Sequence, residues 1–254
     1  MTKFTAFPHL PGRTRHILLG EPWRDALELP LRRLGLTPLF IPENPDVDPR
    51  LCGHADLSVF HVGGGELILA GYLRGTAFAE ELSELGCQLR FSGAKQGRDY
   101  PEDVQLNICR WQHRWIGRRE TAAPELRMAF ERSGRESWVS VRQGYAKCAC
   151  CLVSEDAMIT ADGGIARALT DVGADMLKIS PGGVMLAGFS YGFLGGCAFK
   201  IAEKRLAFTG HLEEHPDRDS ILSFLEKRQI ETLYLTKRPA FDIGGAIPLT
   251  EQEP

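Results

Sequence analysis

The sequence has no run of 18 or more apolar residues, so no segment of it can span a membrane as a helix. It has no excess of basic charge either. Thirty lysines and arginines stand against 33 aspartates and glutamates, a net charge of -3. A nucleic-acid binder would need a broad basic footprint, and that class is set aside. Met1 to Leu10 lacks the basic and apolar regions of a secretory signal. There is no low-complexity stretch and no block of like charge, and only 1–11 and 250–254 are expected as short tails. The seven cysteines are odd in number, and without an export signal they read as reduced thiols of a cytoplasmic protein. Cys148, Cys150 and Cys151 lack the C-x2-4-C spacing of a zinc site, so neither a metal nor another cofactor is expected.

What is present suits a soluble globular protein: 254 residues, 43% hydrophobic and 25% charged. Length alone allows one large domain or two small ones. The stronger signal is a repeat. Four segments share one order: a strand, a tight polar turn, a second strand, a helix and a third strand. They begin at His54, Pro101, Tyr145 and Gly195. Their expected helices run over 76–85, 124–133, 164–172 and 216–227. Proline opens two of these helices and glycine follows three of them, as helix starts and stops require. Counting back seven residues from each turn gives Asp56, Asp103, Lys147 and Gly195, and the next equivalent is Asp242. The spacings are 47, 44, 48 and 47 residues.

A fifth unit is split between the termini. Asp242 to Leu249 reads as a first strand with nothing after it. His16 to Leu19, a helix over 22–34 and a strand over 37–41 supply the rest. The expected fold is therefore α/β: a five-unit ββαβ propeller over 12–249, closed by pairing the last strand with the N-terminal unit, which removes exposed sheet edges. The alternative is a pair of stacked α/β domains with coincidental spacing.

Strand alternation then sorts the side chains of the five first strands. One face, including Cys148 and Cys150, should pack beneath the helices. The other should line the centre in layers. Asp56, Asp103, Lys147, Gly195 and Asp242 form the first layer, Cys197 the next with Gly244, and Asn107 and Cys151 the third. Three aspartates at one level suit a small cation, above all a planar guanidinium that takes two parallel hydrogen bonds. Capping of turns, or pairing with Lys147, explains the same aspartates without a ligand. Trp111 and Trp115, among Arg110, Arg114, Arg118 and Arg119, read as an exposed basic hairpin.

Three stretches, Tyr-Pro-Glu-Asp-Val-Gln-Leu-Asn (100–107), Gln-Gly-Tyr-Ala-Lys-Cys (143–148) and Asp-Ile-Gly-Gly-Ala-Ile-Pro-Leu (242–249), resemble a bacterial family with the pentein fold, the fold of guanidino-group-modifying enzymes. The resemblance runs from about His16 to Leu249. It implies a ligand of guanidino or other cationic type, held by Asp56, Glu102, Asp103, Asn107, Lys147 and Asp242. It also implies chemistry by attack of a thiolate on the guanidinium carbon, with a histidine as acid and base. The place of that thiol is Gly244 or Gly245 here, and the place of that histidine is Leu194 or Gly195. Both groups are missing. Cys197 is the candidate for a relocated nucleophile, with His54, His211 or His215 as its base, although small buried hydrophobes are the commoner role of cysteine. Two expectations stay open beside the guanidino reading: a non-catalytic binding or assembly module, and a thiol-dependent enzyme.

Overall fold

Residues 3–252 are described by the computed structural model; Met1, Thr2, Glu253 and Pro254, at the outer ends of the two expected tails, lie outside them. Among the described residues five helices have eight or more residues: Arg24–Arg33, Ala77–Glu84, Pro124–Ser133, Gly163–Thr170 and Arg218–Glu226. Each buries one narrow apolar stripe, Leu27 and Leu31 in the first and Ile221 and Leu225 in the last. Three of their starts are fixed by small polar side chains or proline. Thr76 Oγ1 accepts from Ala79 N at 3.3 Å, Asp162 Oδ1 accepts from Ile165 N at 2.8 Å, and Pro124 occupies the first turn.

Four of the five end alike. The carbonyl of a buried leucine accepts from the amide five residues on: Leu31 from Leu36, Leu82 from Cys87, Leu169 from Ala174 and Leu225 from Ile230, at 3.0–3.1 Å. The residue before each donor adopts a left-handed conformation. It is glycine in three cases, but Gln229, with φ 57°, in the fourth.

Every helix joins two parallel strands of a three-stranded sheet whose third member is antiparallel. The first four sheets are Val59–Gly63, Glu66–Leu69 and Gln88–Phe91; Cys109–Trp111, Arg114–Gly117 and Ser137–Ser140; Cys151–Leu152, Ala157–Thr160 and Asp175–Lys178; and Ala198–Ala202, Arg205–Phe208 and Glu231–Tyr234. The fifth combines the two ends of the chain. Ile247–Pro248 pairs antiparallel with His16–Gly20, Ile247 opposite Leu18, and His16–Gly20 runs parallel to Thr37–Ile41.

The apolar core is divided between neighbouring sheets. One cluster joins the fifth sheet to the first through Leu18, Leu39, Leu67 and Leu69. Others join first to second, second to third and third to fourth. The cluster of Phe199, Ala207, Ile17 and Ile243 joins the fourth back to the fifth.

Two expectations are corrected here. The segments expected as tails are partly built in, since Lys3–Phe4 pairs with Thr250–Glu251 and both Thr5 and Thr250 are fully buried. The tryptophan hairpin is not an exposed basic feature. Trp111 and Trp115 are buried, and their indole N–H groups donate to Ser154 O and to Glu136. Arg110 is buried against the same Glu136. A buried carboxylate thus compensates the arginine, which charge counting along the sequence does not reveal. No helix among the described residues is long and apolar enough to cross a membrane.

Candidate functional site

The segments that enter the inner strands meet at the centre, and they are not extended. Ala55–Ser58, Ala146–Ala149 and Leu194–Cys197 each form one helical turn, while 101–107 and 242–246 are irregular turns. Every residue from Gly53 to His61 is buried, so no polar face marks an alternation. The layers expected from alternation therefore do not hold. Cys148, expected beneath the helices with Cys150, instead donates its S–H to Asp56 Oδ2 at 2.7 Å.

The helical and irregular turns together bring Asp56, Asn107, Lys147 and Asp242 to one place, with His54 and Cys148 beside them. Lys147 is buried, and its Nζ donates to Gly195 O at 3.3 Å. Asn107 Oδ1 accepts from Lys147 N at 2.8 Å and holds the turn in place. Asp242 is 1% exposed; its oxygens accept from Phe193 N at 2.8 Å and Gly244 N at 2.9 Å. His54 Nε2 lies 3.4 Å from Asp242 Oδ1, although neither ring nitrogen has an aligned hydrogen-bond partner. Asp56 Oδ1 is likewise buried without a partner. Asp103 stands to one side. Its Oδ2 accepts from Tyr145 Oη, and its main-chain carbonyl accepts from Gln96 Nε2 at 2.9 Å. Glu102 is exposed and folds against Gly97. Cys197 is fully buried in an apolar cluster and donates to Leu194 O at 3.2 Å.

Burial and charge act in opposite directions on these groups. Burial raises the pKa of Asp56 despite the opposing pull of Lys147 and His54. Burial, the largest single influence, lowers that of Lys147, but Asp56 together with Cys148, Cys109 and Cys150 outweighs it and the ammonium is held above its usual value. Burial also lowers that of His54, and the neighbouring Asp242, with Asp56, reverses the sign. Asp103 is raised by burial, with the Tyr145 hydrogen bond opposing. Both candidate thiols are pushed well up: Cys148 by burial and Asp56, Cys197 by burial and Asp242. A thiol that keeps its proton is a poor nucleophile.

Gly244 and Gly245 complete the centre. Both are left-handed, at φ 71° and 68°. A Cβ on Gly244 would lie 2.6 Å from His54 Cβ, and one on Gly245 would lie 2.6 Å from Lys147 Nζ. The room a side chain would need there is occupied.

Beside the centre lies a cleft of about 510 Å³ that reaches Asp242. Trp23, Phe241, Met185 and Phe189 wall it, with Glu214 and Arg238 at its edge. Its roof is the stretch 183–192, which is stitched to the last strand's approach by Met185 N to Ala240 O and Asp242 N to Met185 O, both 2.8 Å. Arg50 holds this roof from a second loop: Nη1 donates to Gly188 O at 2.9 Å, and the guanidinium stacks 4.3 Å from the Phe189 ring. Sequence reasoning missed the roof, Tyr145 and Trp23. Tyr145 stood inside a quoted motif, but nothing in one sequence assigned it to Asp103.

A family model described as a family of unknown function, DUF6873, matches residues 21–247. The chain belongs to that family. No curated protein matches it by sequence. Among solved structures, inosamine-phosphate amidinotransferase of Streptomyces griseus is similar over 100% of this chain and 98% of its own, at 10% identity and a TM-score of 0.60. Agmatine deiminase of C. jejuni is similar over 98% and 97%, at 10% identity and 0.55. DDAH of Pseudomonas aeruginosa, solved with citrulline, is similar over 88% and 93%, at 11% identity and 0.52. These likenesses identify the pentein fold, the fold of guanidino-group-modifying enzymes. At such identities the fold is all they carry.

Proposed function

We propose that this chain is a five-unit ββαβ propeller, one domain over 12–249 onto which Lys3–Phe4 and Thr250–Glu251 are built, that binds a small cationic molecule of guanidino type and performs no covalent chemistry on it. Five sheets of one strand order and five shared cores, the last leading back to the N-terminal sheet, support the closed ring. The observation that carries the functional reading is the glycine pair. Gly244 or Gly245 stands where the resemblance expects a thiol, and the space a side chain would need is held by His54 at the one and by the Lys147 ammonium at the other. Asp56, Asn107 and Lys147 are then internal structure: Asp56 accepts from Cys148 with the Lys147 charge nearby, and Asn107 holds the Lys147 amide. Asp242, although buried beside His54, and Glu214 both line the aromatic-walled cleft and give it the negative charge that would attract a cation. The high thiol pKa values of Cys148 and Cys197 argue against a relocated nucleophile. Seven free cysteines suit a reducing cytoplasm.

The test is a thermal-shift screen with agmatine, arginine, creatine and citrulline, paired with assays for released ammonia and urea. The expected result is a shift that grows with ligand concentration, without turnover. Release of ammonia or urea defeats the non-catalytic reading. No shift with any cation defeats the ligand and leaves the assembly module.

A further inference from the structure

A second cavity, of about 460 Å³, shares no lining residue with the cleft beside Asp242. It lies between Leu10 and Pro11, the turn at Ser154, Glu155 and Asp156, and the hairpin turn at Glu203 and Lys204. Lys200, on Ala198–Ala202, lines it and is 3% exposed. Among the described residues no carboxylate lies within 4.0 Å of its amine. Nζ donates instead to two main-chain carbonyls, Val153 O at 2.8 Å and Glu203 O.

That pairing discriminates between the two forms of the amine. An ammonium has three N–H donors and would leave one without a partner at a buried site. A neutral amine has two, which these carbonyls satisfy, and its lone pair is left free. We propose that Lys200 is a reactive amine that condenses with a small aldehyde admitted to this cavity. The lone pair of Nζ adds to the carbonyl carbon, the carbonyl electrons move to oxygen, and that oxygen takes up a proton. The resulting carbinolamine loses its hydroxyl as water and its N–H proton to solvent. Amine and aldehyde thus give imine and water, with no change of oxidation state. Lysines activated this way are desolvated or set beside another cation. Lys200 is both: burial, then Lys204, pull its pKa down to about 8, against the opposing influence of Glu203 and Cys151. Glu155 and Asp156 face it across the cavity, and His9 and Lys147 share a small gap on its other side.

The experiment treats the folded full-length protein with propionaldehyde and sodium cyanoborohydride at pH 7.5, and maps alkylation by peptide mass spectrometry. Lys200 is expected to be modified at least about tenfold faster than the exposed Lys95, because far more of it is neutral. The rate should climb with pH and level off above about 8. Lys204→Ala keeps the target amine and should slow its modification about two- to fivefold at pH 7.5. Lys200→Met should remove the fast-labelled peptide. If that variant does not fold, Lys204→Ala decides. Labelling of Lys200 no faster than of Lys95, labelling only after unfolding, or a rate unchanged by Lys204→Ala overturns the proposal.

Discussion

At the scale of single residues, the centre is a set of buried charges that answer one another. Lys147 is the cation that Asp56 faces, and neither reaches water. Lys147→Met keeps the bulk but removes the donor to Gly195 O and the charge that opposes the desolvation of Asp56, a loss of about 1–3 kcal/mol. Urea unfolding at pH 7 should show that loss; a loss below about 1 kcal/mol would mean the two charges do not depend on each other. His54 supplies a pH signature. Its folded pKa is raised, so its contribution is complete below the unfolded value of about 6.5 and disappears as pH rises through the folded value. His61, lowered to about 4 by burial, acts the other way and destabilises the fold on acidification between those values. His54→Gln should therefore cost more stability at pH 6 than at pH 9, in paired denaturation curves. An equal cost at both pH values would show that His54 is not charged beside Asp242. Part of this was readable in the sequence, where association of the aspartates with Lys147 stood as the alternative to a ligand. Asp56, Lys147 and Asp242 were found through the period of the repeat, but their partners, His54 and Cys148, depend on the turn of the backbone.

At the scale of elements, the helices and outer strands were legible and the inner segments were not. The helix 124–133 has the bounds that Pro124 and Gly134 announce, and Gln88–Phe91 and Thr37–Ile41 match the expected strands. The helix and Gln88–Phe91 each have a wet and a dry face, so period and punctuation speak clearly, while Thr37–Ile41 is buried and was found from its place after Gly35. The segments at Asp56, Lys147 and Gly195 are dry all round, and a helical turn there looks the same as a strand. That single ambiguity moved Cys148 from core to site. The ending of Arg218–Glu226 shows an element at odds with its own repeat. Gln229 is exposed and left-handed where the other units use glycine. Gln229→Gly should raise stability by about 0.5–1 kcal/mol, the relief of the left-handed strain less the entropy that glycine adds to the unfolded chain. Unchanged or lowered stability in guanidinium titration would place the strain elsewhere.

At the scale of the molecule, the fifth unit depends on both ends of the chain at once. The repeat period led to this join before any geometry, because Asp242 stood one period after Gly195. Truncation after Arg238 removes Ile247–Pro248, exposes the edge of His16–Gly20 and strips Ile243, Ala246 and Ile247 from two cores. The truncated protein should be insoluble or unfold without cooperativity; one that melts like the full chain would contradict a closed ring. Function at this scale is a question of what the pentein fold retains when the nucleophile's place is filled. Titration calorimetry with agmatine reads both halves of that question at once. Binding without chemistry gives a saturable, reversible heat that returns to baseline after each injection. A sustained heat that continues while substrate lasts would mean turnover, and would contradict it.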